Sequence, residues 1–118
     1  MPPPSALAIA TGAVNRLLKE EASYHKELEE QEAKAKAQEE RLRSGQDDED
    51  GNATYILKQQ KMVVEQTKGV FKPLRDRIAK AVEKLEDLVA SEEKSGTATP
   101  EELANAKAAL DKAKAEAS

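Results

Sequence analysis

The sequence predicts an all-α protein: an antiparallel up-down-up three-helix bundle, coiled-coil-like in its packing, whose second helix bends at Pro73. Three observations carry that expectation. Apolar residues recur at alternating spacings of three and four in three separate segments, the pattern of helices that pack lengthwise on one another. Of the 118 residues 36% are charged and 3% aromatic, which suits apolar stripes sealed against each other better than a deep globular core. Two breaks containing glycine and polar residues part the segments, and both are short enough to demand antiparallel neighbours. Residues 1–118 are therefore read as a single three-helix domain, with helices over about 5–43, 52–91 and 100–116 and an acidic turn at 44–51.

The first helix is written by Leu7, Ala10, Val14, Leu17, Glu21, Tyr24, Leu28, Gln31, Ala35, Gln38 and Leu42, a seam that no proline or glycine interrupts after Gly12. In the second, Leu57, Gln60, Val64, Thr67, Phe71, Leu74, Ile78, Ala81, Leu85 and Leu88 keep the same alternation. Ile56, Val63, Val70, Val82 and Val89 widen that stripe, as a helix touching two neighbours requires. The third places Leu103, Ala106, Leu110, Ala113 and Ala117 at heptad spacing. Its start is sharply marked: Thr99 caps, Pro100 suits the first helical position, and Glu102 completes a capping box. Between the helices lie "SGQDDEDGN", whose acids suit the dipole of the helix that follows, and "EEKSGTAT".

The stretch "GVFKPL" at 69–74 places a glycine, the one phenylalanine and a proline together in mid-helix. Pro73 falls outside the seam, and the apolar register continues beyond it through Ile78 and Leu85, so the helix is expected to bend rather than stop. A proline removes one backbone hydrogen bond and crowds the carbonyl four residues earlier. That residue is Gly69, whose missing side chain gives the backbone room. Phe71 points inward as a core residue.

Composition and spacing exclude most chemistry. The absence of Cys rules out disulfides and thiolate metal sites, and leaves a reducing compartment as the default. The apolar run from Ala6 to Val14 lacks a basic leader and is too short to span a bilayer, so the chain reads as a soluble intracellular protein with no membrane contact. The sequon "NAT" at Asn52–Thr54 then reads as loop and helix-cap residues. His25, the only histidine, has no partners for a metal site and reads as a helix-flank residue. Adjacent glutamates are solvated helix faces, and no glycine loop cradles phosphate, so no enzyme and no cofactor are expected. Residues 52–91 carry 8 bases against 5 acids within a chain of net charge −4, too few bases and too few aromatics for nucleic acid. The same excess suits an acidic protein partner.

The stretch "LAIATGAVNRLLKEEASYHKE" resembles the opening helix of the tubulin-binding cofactor A family, the tubulin-specific chaperones A. The matching pattern is Leu7, Ile9, Thr11, Gly12, Val14, Arg16, Leu17, Lys19, Glu20, Tyr24 and Glu27, with Thr11-Gly12 followed by Val14 and Arg16 its most specific part. The likeness continues through an acidic turn, the "TYILKQQ" entrance to a second helix, a proline midway along it and a short third helix. It implies a cytoplasmic, cytoskeleton-associated chaperone that captures β-tubulin during folding and holds it for the later tubulin-folding cofactors that assemble the αβ heterodimer. That activity is binding without nucleotide or chemistry, and the family includes monomers and homodimers. The alternative is a coiled-coil scaffold or adaptor that self-associates.

Helix lengths locate a candidate site. The first two helices reach roughly 57 Å and the third about 25 Å at 1.5 Å per residue. The third can therefore cover only the end built from the start of the first helix and the close of the second, leaving the other end a bare hairpin. Ile56, Val63, Val64, Val70 and Phe71 are expected to form an open apolar groove there that receives β-tubulin or a second copy of the chain. The outward bases Lys61, Lys68, Lys72 and Arg75 are expected to steer the encounter.

Overall fold

The computed structural model describes residues 3–45 and 51–117. Among them there is no strand, and the elements in order are α1 (Ala6–Arg43), α2 (Asn52–Lys68), α3 (Phe71–Ser95) and α4 (Pro100–Ala117). The acidic run expected to form the first turn, at 46–50, lies outside the described residues. The expected second helix over 52–91 is instead two elements, α2 and α3, parted at Gly69 and Val70.

The cause of that interruption is the missing N–H of Pro73, which denies the Gly69 carbonyl its usual donor four residues on. Gly69 N–H still bonds to the Glu65 carbonyl at 3.1 Å, but Val70 N–H turns to Thr67 O, also at 3.1 Å, a tighter one-residue-shorter closure. Gly69 itself is right-handed, with φ −67° and ψ −16°, a conformation open to any residue. Its glycine character is therefore not what the backbone path demands. Pro73 then stands third in α3, in a first turn where a missing N–H is tolerated.

The chain forms two compact units, one of Met1–Glu20 with Leu74–Ser118, the other of Glu21–Pro73. In the first, Leu7, Val14, Leu18 and Leu85 are at most 1% exposed and pack with Val89, Ala106, Ala109 and Ala113. Each fully buried leucine or valine contributes about 1.5–3 kcal/mol. Val89, which widens the stripe, is buried here and Val82 half-buried, and α4 contributes the buried Ala106, Ala109 and Ala113 with Leu103 and Leu110 half-buried beside them. Thr11 is also buried, and its hydroxyl donates to the Leu7 carbonyl at 2.8 Å, so no polar atom is stranded.

The ends of these helices are tied by side chains. The Ser5 hydroxyl oxygen accepts the Ala8 N–H at 3.1 Å, capping α1, and donates its own proton to Glu102 of α4. Glu102 also accepts from Thr99 N–H at 3.2 Å, while the Thr99 hydroxyl accepts Glu102 N–H at 3.1 Å, the expected capping box. The starts of α1 and α4 thus lie side by side. The Ser5 hydroxyl, and after it the Thr99 backbone N–H, hold the Glu102 carboxyl below the usual glutamate range. At the end of α3, Gly96 takes φ 71° and returns its N–H to Glu92 O at 2.8 Å, a left-handed closure that favours glycine. Lys107 and Glu93 join α4 to α3 at 2.8 Å.

The second unit pairs the later part of α1 with α2. Glu21, Ala35, Val64, Thr67 and Phe71 are buried, and Tyr24, Leu28 and Leu57 are half-buried. Gln38 donates from Nε2 to the Ala53 carbonyl at 3.2 Å. The side-chain carbonyl oxygens of Gln31 and Gln60 are buried with no hydrogen-bond partner. Asn52–Thr54 lies in the first turn of α2, and the cap is Gly51 at φ 74° without a side-chain bond.

Candidate functional site

The candidate site rests on α2. At about 100° per residue, its buried side follows Leu57, Gln60, Val64 and Thr67. Ile56 and Val63, about two turns apart on one edge of that stripe, remain 40% and 41% exposed. Of the valines that continue the widened stripe in the other unit, Val89 is buried and Val82 half-buried, so neither is as exposed as Ile56 and Val63. Tyr55 at 60% and Met62 at 47% stand seven residues apart on the outward face of α2. Among the described residues, four of the five exposed large apolar side chains therefore lie on one helix of 17 residues. An exposed cluster of this kind marks a partner surface more often than an isolated apolar residue does.

The expected bases occupy the opposite flank. Lys61 and Lys58 border a shallow groove floored by Leu57 and Met62 and closed by Thr54, Glu65 and Gln66. Lys68 pairs with Glu65 at 3.6 Å, an exposed contact worth little to stability. Lys72 is exposed in the first turn of α3, and Arg75, also exposed, belongs to the other unit. Ile56 and Val63 are thus separated from Lys61 and Lys68 by the buried side of the same helix.

Two of the expected partner-binding residues are not on the surface. Val64 is 8% and Phe71 7% exposed, because both hold seam positions, and Val70 is half-buried. A seam position buries its side chain against the facing helix, whatever the neighbouring flank exposes. Phe71 meets the edge of Tyr24, centroids 6.4 Å apart and planes at 76°. Its face is covered by His25, centroids 4.5 Å apart and planes at 29°. The histidine expected to be a plain flank residue therefore closes an aromatic cluster.

Tyr55 and Met62 escaped the sequence reading because they fall outside both the seam and its widened edge. The available signal was their spacing: two large apolar residues at i and i+7 with charged and amide neighbours.

Among the described residues, no group of three or more His, Asp or Glu side chains is placed to hold a metal ion. No helix among them is long and apolar enough to cross a membrane. Neither a curated protein nor a solved structure matches the chain significantly. A family model does, over residues 2–110, and it spans α1, α2, α3 and the exposed face of α2 together. The chain belongs to the tubulin binding cofactor A family.

Proposed function

We propose that the protein captures β-tubulin and holds it on the route to the αβ heterodimer, by binding alone and without a cofactor. The family supplies the tubulin-folding role. The observation that carries the site is the exposed apolar set Tyr55, Ile56, Met62 and Val63 on α2. Lys61, Lys68, Lys72 and Arg75 contribute by drawing an acidic partner toward it. The protein works in the cytoplasm beside the cytoskeleton and passes its tubulin to other tubulin-folding cofactors. The experiment is capture of purified β-tubulin by the double variant Ile56→Glu with Val63→Glu. Circular dichroism should stay helical while capture is lost; undiminished capture sinks this surface. Light scattering on the same pair of proteins separates the self-associating scaffold: a dimer mass that the variant abolishes, with no tubulin capture by the parent, would favour the scaffold.

We also infer that residues 1–118 act as one up-down-up three-helix domain, with α2 and α3 as the two limbs of a second helix bent near Pro73. Support comes from the unbroken α1, which contributes to both units, and from the Gln38–Ala53, Tyr24–Phe71 and Ser5–Glu102 contacts. A spin-label distance between the start of α2 and the end of α3 tests it.

A further inference from the structure

The two units are built to very different standards. The four largest fully buried side chains among the described residues, Leu7, Val14, Leu18 and Leu85, lie in the unit that contains α4. In the Glu21–Pro73 unit the most buried apolar side chains are Phe71 at 7%, Ala35 at 8% and Val64 at 8%, and one of these is only a methyl group. Seam positions there are held by Gln31, Gln38 and Gln60, and the side-chain oxygens of Gln31 and Gln60 are buried without a donor. Each regains hydrogen bonds to water when the helices part, so these two groups favour the open form. The backbone ladder is already interrupted at Gly69 and Val70, a few residues before the unit ends at Pro73, so parting need not propagate far along α3.

We infer that the Glu21–Pro73 unit opens as a cooperative element of its own while the unit containing α4 stays folded, and that the open form presents Val64 and Phe71 to the partner. The inference rests on the tubulin-binding reading only in its second half. Opening separates the later part of α1 from α2 and bares a stripe of Leu28, Leu57, Val64 and Phe71, apolar residues that are half-buried or buried in the closed form. The exposed Ile56 and Val63 make the first contact, and the opened seam then extends the same surface inward. The aromatic contacts of Phe71 with Tyr24 and His25 hold the closed form and set how often it opens. Marginally packed elements of this kind are where proteins place the segments that must move on binding.

Hydrogen exchange of the full-length protein, read by mass spectrometry, tests the opening without any partner. Amides of 26–40 and 56–66 should exchange at least about tenfold faster, after correction for intrinsic rates, than those of 10–18, 80–90 and 104–113. Gln31→Leu with Gln60→Leu should slow exchange in the first set and leave the second unchanged. Equal protection of the two sets in the unmodified protein overturns the proposal, as does slowing of both alike. The role of the open form is read from β-tubulin capture by the same double variant: weaker capture with intact helicity supports it, and unchanged capture overturns it. If the double variant misfolds, Gln60→Leu alone carries the comparison. Failure of the unmodified protein to capture tubulin would count against the tubulin reading and the role of the open form, and leave the exchange asymmetry to decide the opening.

Discussion

His25 stacks on Phe71, ring centroids 4.5 Å apart, and so covers the largest apolar side chain buried in the Glu21–Pro73 unit. Phe71→Ala should cost about 3 kcal/mol of stability by urea denaturation, as a large buried ring is lost. His25→Ala should cost about 1 kcal/mol, the worth of a stacked aromatic contact at a partly exposed site. Their effects should be non-additive in a double-mutant cycle. Strict additivity would mean that the stack contributes nothing.

Glu102 gives a pH dependence with a defined sign. Its carboxyl is held below the ordinary glutamate value by the Ser5 hydroxyl and the Thr99 N–H. A lowered folded pKa means that the ionised group stabilises the fold at neutral pH, and that this contribution is lost as pH falls through the carboxylate range to the folded value. The stability gap between the parent protein and Glu102→Gln should therefore be widest at neutral pH and narrow in acid. A gap independent of pH would show that the carboxylate charge plays no part.

Thr99→Ala removes the other half of the same cap. Loss of the Thr99 hydroxyl from the Glu102 N–H should cost about 1 kcal/mol, measured by chemical denaturation at neutral pH. Thr99→Ser keeps the acceptor and should restore most of it.

At the α2–α3 junction two substitutions should act in the same direction. Pro73→Ala returns a donor for the Gly69 carbonyl, and should raise stability by about 1 kcal/mol with no loss of helical signal. Gly69→Ala should stabilise by about 0.5–1 kcal/mol, because the unfolded chain loses freedom. Its added Cβ would meet Gln66 O at 3.4 Å and Glu65 O at 3.6 Å, ordinary contacts. Destabilisation by both would mean that the interruption is required by the fold.

Lys61→Glu with Lys72→Glu should slow association with β-tubulin about tenfold at low ionic strength, and the difference should vanish at high salt. Both side chains are exposed, so the melting temperature should barely move. An unchanged rate at low salt removes steering from their role.

Periodicity made the helices legible. Leu7, Val14, Leu74 and Leu85 are buried where the seam places them, and Thr99, Pro100 and Glu102 start α4 as their spacing requires. Leu18 was not foreseen as more buried than Leu17, because a heptad count assumes one facing helix and the start of α1 packs against two. Ser5 and Glu102 are 97 residues apart, and no local pattern encodes their hydrogen bond. The burial of Val64 and Phe71, expected in an open groove, has a different origin: the same apolar letters serve a seam and a docking surface, and only packing tells them apart. Tyr55 and Met62 are the converse, apolar residues that a search for seams passes over.

The alanines of α4 set a limit on how that helix can change. Ala106, Ala109 and Ala113 are between 0% and 6% exposed, so the fully covered positions of α4 are all small, with Leu103 and Leu110 half-buried beside them. A larger residue at one of these three covered positions would overpack the contact, at a cost of about 1–3 kcal/mol. Sequence drift at Ala106, Ala109 and Ala113 is therefore confined to small residues, while the exposed positions between them are free to vary. The alanine-rich ending of this chain is in that sense a record of steric fit, and the polar ties at Ser5–Glu102 and Lys107–Glu93 provide the directional hold that methyl groups cannot.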